Sequence, residues 1–148
     1  MLSTGDTAPD FTLPDQHNNP VTLSEQEGEL IALYFYPAAS TPGCTTQACQ
    51  VRDNRLQLQQ VGVTVIGVSA DLQPAVAEFA EQYQLTFPLL ADSDASVCES
   101  YGVWGGRWAS RTTFLLNSSR LILEVIDGVT PDTSASQLLE ACRRHSGA

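Results

Sequence analysis

A chain of 148 residues, 43% hydrophobic and 16% charged, is expected to fold around one core as a single domain over residues 1–148 rather than stay disordered. Seven Arg, no Lys and seventeen acidic residues leave a net charge of −10, which argues against nucleic-acid binding and disfavours an anionic membrane surface. No stretch has the apolar length of a membrane span and the N-terminus lacks a signal-peptide core, so the expected setting is cytoplasmic and reducing. There, cysteines are more often catalytic or metal-binding than structural staples.

Taken in chain order, Thr12-Leu13 and Val21-Thr22-Leu23 flank a polar turn from Pro14 to Pro20 and predict a short hairpin. Leu30 to Tyr36 is a continuous apolar run, the pattern of a strand covered on both faces. A helix is expected from about Pro42 to Gln60, a second buried strand over Val63 to Ser69, and a helix from Pro74 to Tyr83 with Pro at its tolerated first turn. Leu89-Leu90 reads as a short strand and Ala95 to Tyr101 as a short helix. Thr112 to Leu116 and Leu121 to Ile126 read as strands joined by the Asn117-Ser-Ser turn. Ser134 to Arg144 closes the chain as a helix with Leu138, Leu139 and Cys142 on its apolar side. Strand-helix-strand-helix followed by a hairpin and a helix implies an α/β, thioredoxin-like fold: a mixed central sheet with helices on both faces.

The chemistry concentrates where the first long strand becomes a helix. Thr41 can cap that helix, Pro42 fits its first position and Cys44 falls at its third. The unpaired amides and positive dipole end there favour a thiolate, so Cys44 is placed to be nucleophilic without a general base. The histidines, His17 and His145, fall in a turn and at an end expected to fray. The competing reading is a small buried cysteine packed under the corner.

Cys49 follows five positions later. In a regular helix the two Cα atoms stand roughly 8–9 Å apart, beyond the disulfide limit of about 7 Å. A bond between them therefore requires the first turns to unwind, which makes the pair a candidate two-state redox switch. A zinc site would need two further ligands, and Cys98, Cys142 and the histidines offer no paired spacing, so no metal is expected. Cys98 and Cys142 read as buried apolar residues.

Tyr34-Phe-Tyr-Pro37, Thr41-Pro-Gly-Cys44, Cys49 and Arg52-Asp53 together resemble a peroxiredoxin of the AhpC/TSA-like class, in its bacterioferritin comigratory protein or peroxiredoxin Q subgroup. The likeness begins at Gly5 with Ala8-Pro-Asp-Phe11. It continues through Gly67-Val-Ser-Ala-Asp71, Pro88-Leu-Leu-Ala-Asp92, Tyr101-Gly-Val-Trp-Gly105 and Arg111-Thr-Thr-Phe-Leu-Leu116.

The resemblance implies a thiol peroxidase for hydrogen peroxide and organic hydroperoxides, with Cys44 as peroxidatic cysteine, Cys49 as resolving cysteine, and thioredoxin or a similar dithiol as reductant. It implies no cofactor, and a monomer is expected. It carries over three further roles: Thr41 as a hydroxyl for the peroxide and thiolate, Pro37 as a shield of the pocket, and Arg111 as a fixed cation for the developing charge. Arg107 is the alternative to Arg111. Arg52 and Arg55 are expected to pair with acids or cover the helix, and Trp104 to pack in the core rather than wall the site.

Some members of the subgroup resolve with a cysteine on the following helix. Here Pro74 to Tyr83 has none. Many relatives carry charged residues where this chain has Ala38-Ala39-Ser40 and Thr46-Gln47. Two other readings of the thiol pair are a thioredoxin-like disulfide carrier, which predicts the missing C-x-x-C spacing, and a redox sensor using the same switch.

Overall fold

The structure is a computed structural model and describes residues 1–145. Strands β1 (Thr12–Pro14) and β2 (Pro20–Thr22) form the expected hairpin. Asp15 holds its turn by accepting the amides of His17 at 2.8 Å and Asn19 at 2.9 Å. Leu23, expected to end the second strand, instead starts a single 3-10 turn through Glu25.

The main sheet has five strands in the order β5-β4-β3-β6-β7. Strands β3 (Leu30–Phe35), β4 (Val63–Ser69) and β5 (Leu89–Ala91) run parallel. Strand β6 (Thr112–Asn117) runs antiparallel to β3, and β7 (Ile122–Ile126) antiparallel to β6. The last strand begins one residue later than its pattern predicts, because Leu121 instead bridges Thr7.

Because side chains alternate along a strand, β3 feeds two cores. Leu30, Ala32 and Tyr34 pack under four helices: α1 (Pro42–Asp53), α2 (Arg55–Gln60), α3 (Gln73–Tyr83) and α5 (Ser134–His145). Ile31, Leu33 and Phe35 meet α4 (Ser96–Ser100) and the N-terminal segment on the opposite face. This is a mixed sheet with helices on both faces, the thioredoxin-like architecture that the order of elements implied.

The expected helix over 42–60 is two helices. Asn54 sits at φ −104°, ψ 19°, and its Nδ2 donates to the carbonyl of Gln50 at 2.8 Å, beside the backbone N–H that reaches the same oxygen at 3.1 Å. A short amide side chain that competes for backbone acceptors ends a helix, and periodicity alone does not register it. The C-terminus also differs from expectation. His145 is held by Glu124 at 3.0 Å as part of α5, not frayed. Among the described residues no helix is long and apolar enough to cross a membrane.

Candidate active site

The site grows from the end of β3. Tyr36 continues the ladder by donating its N–H to Val68 at 3.1 Å, and the chain then leaves the sheet at half-buried Pro37, which has no amide proton to give. The loop that follows is fixed from β4. The Asp71 carboxylate accepts the Ala39 N–H and the Ser69 hydroxyl, each at 2.7 Å. Ser40 then takes φ +63°, a left-handed conformation costly for a side-chain-bearing residue, and turns the chain into α1.

Thr41 occupies the N-cap position of α1 with extended dihedrals, and Pro42 is inside the first turn, as expected. The hydroxyl of Thr41 does not cap the helix, however. It donates to the Ala38 carbonyl at 2.7 Å. Pro42 lacks an N–H and the Thr45 amide is taken by the Thr41 carbonyl at 2.8 Å. The first-turn donors without a capping side chain are therefore Gly43 and Cys44. A helix N-terminus of this kind attracts negative charge.

Cys44 lies in that turn, 2% exposed, on a floor that includes Tyr34 and Tyr36. Burial pushes both phenols well above their usual range, so they stay neutral beside the sulfur. Gly67 on β4 makes room for this floor, since a Cβ there would come within 2.8 Å of Tyr34 Cζ. Cys49 is half-buried on the same helix, and both are free thiols. Both fall within the continuous helix α1, so the separation of roughly 8–9 Å argued from regular geometry applies.

Arg111 reaches the same turn from across the sheet. The β3–β6 register pairs Phe35 with Thr112, which brings Arg111, one residue before β6, beside the end of β3. Its guanidinium lies against the backbone of Gly43: a Cβ on that glycine would stand 3.0 Å from Nη2. Nη1 donates to Oε1 of Gln47 at 2.7 Å. Gln47 is only 2% exposed and one turn after Cys44, so α1 itself orients the cation.

Gln47 and Asp71 are the residues that sequence reasoning missed. A polar side chain at i+3 from the cysteine, and Ser-x-Asp at the end of a buried strand, were the available signals. The structure brings Pro37, Thr41, Cys44, Cys49 and Arg111 to one corner. Arg107 is exposed, and Trp104 is half-buried against the core on the other face of the sheet. Cys98 and Cys142 are fully buried, and the described residues contain no cluster of metal-ligating side chains.

Comparison with known proteins gives the family. Residues 4–125 match the AhpC/TSA family. Peroxiredoxin Bcp of Escherichia coli is 39% identical over 153 aligned positions, covering 98% of each chain. The crystal structure of peroxidoxin BcpB from Mycobacterium tuberculosis superposes with a TM-score of 0.90 at 37% identity, covering 98% of this chain and 99% of that one. The bacterioferritin comigratory protein of Xanthomonas campestris, described for its alkyl peroxide reduction activity, gives a TM-score of 0.85 at 26% identity over 92% of both chains. With a family match across most of its length and Bcp relatives across nearly all of it, the chain belongs to the AhpC/TSA family, as a Bcp-type peroxiredoxin: a thiol peroxidase that works on a peroxide with a thiol reductant.

Proposed function

We propose that this protein is a single-domain, monomeric, cytoplasmic peroxidase that reduces hydrogen peroxide and organic hydroperoxides through Cys44, resolves the product with Cys49 and is recycled by thioredoxin. The observation that carries the reading is that the turn holding Cys44 is a helix N-terminus, uncapped by any side chain, with the Arg111 guanidinium against its Gly43 and bonded to Gln47.

In the first step the Cys44 thiolate attacks one peroxide oxygen. The O–O bond breaks, Cys44 becomes a sulfenic acid, and the second oxygen leaves as hydroxide or alkoxide, which takes a proton from solvent. Arg111 faces the charge that develops on that leaving oxygen, and Gln47 keeps the guanidinium turned towards the helix end. The Thr41 proton is committed to Ala38, so towards substrate this hydroxyl can only accept. The peroxide O–H therefore points at Thr41, which orients the O–O bond relative to the sulfur. Pro37 walls the site without offering a competing donor.

In the second step the first turns of α1 unwind. The Cys49 thiolate then attacks the Cys44 sulfur and displaces hydroxide, which is protonated to water as the disulfide forms. The long spacing assigns the two steps to two conformations: attack with α1 intact, resolution with it open. An external dithiol takes the disulfide back to two thiols and is itself oxidised.

The test is peroxide consumption coupled to thioredoxin. Cys44→Ser should lose activity by at least about a thousandfold. Cys49→Ser should complete one turnover and stall as a sulfenic acid. Continued thioredoxin-linked cycling by Cys49→Ser would remove Cys49 from the resolving role.

A further inference from the structure

One turn beyond Cys49 lies a feature that the peroxide chemistry leaves unused. A groove of about 460 Å³ opens between helices α1 and α2 and the edge of the sheet. Val51, Leu58 and Phe87 are part of its lining, and Arg52, Arg55 and Leu56 stand along it. We propose that this groove, with its arginines and exposed leucine, is the docking surface for the protein dithiol reductant, which meets it with an acidic and apolar surface beside its own reactive thiol. The proposal rests on the reading of Cys49 as the resolving cysteine.

Three observations lead there. The first is position. Arg52 follows Cys49 by three residues and shares its helix face, and Leu56, beyond the break at Asn54, lines the same groove as Arg52. A stripe therefore runs from the redox sulfur into the groove.

The second is chemistry. The chain carries a net charge of −10, which repels an acidic partner almost everywhere, yet Arg55 is exposed and among the described residues its side chain makes no ion pair or hydrogen bond. Arg52 contacts Asp53 and the carbonyl of Tyr83. Beside these cations Leu56 is 63% exposed, one of the few large apolar side chains left in solvent. Cations around an apolar centre, one of them without an acidic partner among the described residues, form an interface rim and core.

The third is persistence. Disulfide formation must unwind the start of α1, but Arg52 Nη1 donates to Tyr83, the last residue of α3, at 2.6 Å, and the helix is already broken at Asn54. The groove thus stays built while the segment upstream opens. The reductant finds the same surface when the disulfide is present.

From that surface the reductant thiolate attacks the nearer sulfur, Cys49. The Cys44–Cys49 bond breaks, Cys44 leaves as thiolate, and a mixed disulfide joins Cys49 to the reductant. The reductant's second thiolate then attacks its own bonded sulfur and releases the Cys49 thiolate. The reductant leaves oxidised by two electrons.

Arg55→Glu and Leu56→Asp test this in the assay with hydrogen peroxide, thioredoxin, thioredoxin reductase and NADPH, with dithiothreitol as a parallel reductant. Each variant should lower kcat/KM for thioredoxin by about tenfold, and Arg55→Glu should also flatten its salt dependence. Turnover with dithiothreitol should stay within about twofold of wild type, since a small thiol needs no docking surface.

Unchanged thioredoxin kinetics in both variants overturns the proposal, as does a matching loss with dithiothreitol. If light scattering shows that Leu56→Asp dissociates a dimer while thioredoxin kinetics stay constant, the groove is a self-association face instead. A wild type that does not turn over even with dithiothreitol overturns the peroxidase cycle itself, and the docking surface with it.

Discussion

The chain carries two pairs of cysteines, and burial does not distinguish the sulfur at the active corner from those in the core. Cys44 is 2% exposed, and Cys98 and Cys142 are 0% exposed. The neighbours differ. The residue before Cys44 has the Arg111 guanidinium against it, and the turn that holds Cys44 is a helix N-terminus.

Burial first, and then the Asp92 carboxylate that accepts the Cys98 amide at 2.8 Å, push the Cys98 thiol well above its usual range. Cys142 is pushed up to about 11 by burial first and by the Glu124 carboxylate second. A thiol is made a nucleophile or a packing group by the sign of the charge around it and by whether its backbone can move.

That contrast can be broken most visibly by alkylation. With its titration moved to about 11, Cys142 holds about one part in a thousand of its thiol as thiolate at pH 8. In the native protein, iodoacetamide should therefore label Cys49 at least about a hundredfold faster than Cys142, read by peptide mass spectrometry. Labelling of Cys142 should rise about tenfold per pH unit up to the folded value. The linkage runs the same way. A thiol raised in the fold contributes stability that is present below its ordinary value of 9.0 and is lost as pH climbs towards about 11. Equal labelling of the two sulfurs at pH 8 would erase the distinction.

A smaller effect sharpens the electrostatic half. Arg111→Lys keeps the charge but loses the planar fork that bonds Gln47 while lying along Gly43. The second-order rate constant with peroxide should fall by about 10²-fold in stopped-flow measurements, with the fold intact. Cys142→Ala should do the reverse, leaving that rate constant within about twofold while costing about 1–2 kcal/mol of stability in urea unfolding.

The same division explains how much could be read from the sequence. The strands and both flanking helix layers were legible because apolar runs such as Leu30 to Tyr36 and Val63 to Ser69 have few other solutions. The helix-end placement of Cys44 was legible from Thr41-Pro-Gly. What escaped depended on individual side-chain hydrogen bonds. Asn54 ends α1 by bonding Gln50. Thr41 turns its proton to Ala38 rather than to the helix. Glu124 holds His145 in α5.

Gln47 and Asp71 escaped for a related reason, because each acts on a partner distant in sequence, Arg111 and Ala39 respectively. Arg52 reaches Asp53, as expected of a surface arginine, but its second bond to Tyr83 is a tertiary fact. Of the two courses expected for Arg55, pairing with an acid is not the one taken, since it is exposed on α2 with no acidic partner among the described residues.

The central claim is that the two active sulfurs meet only when α1 opens, and amide hydrogen exchange on the reduced and oxidised protein tests it most directly. The disulfide replaces helical hydrogen bonds by one covalent link, so residues from about Thr41 to Arg52 should exchange faster after oxidation. Exchange in β3, β4 and α2 should change little. Equal protection of that segment in both states, with a Cys44–Cys49 disulfide confirmed by mass spectrometry, would contradict the account.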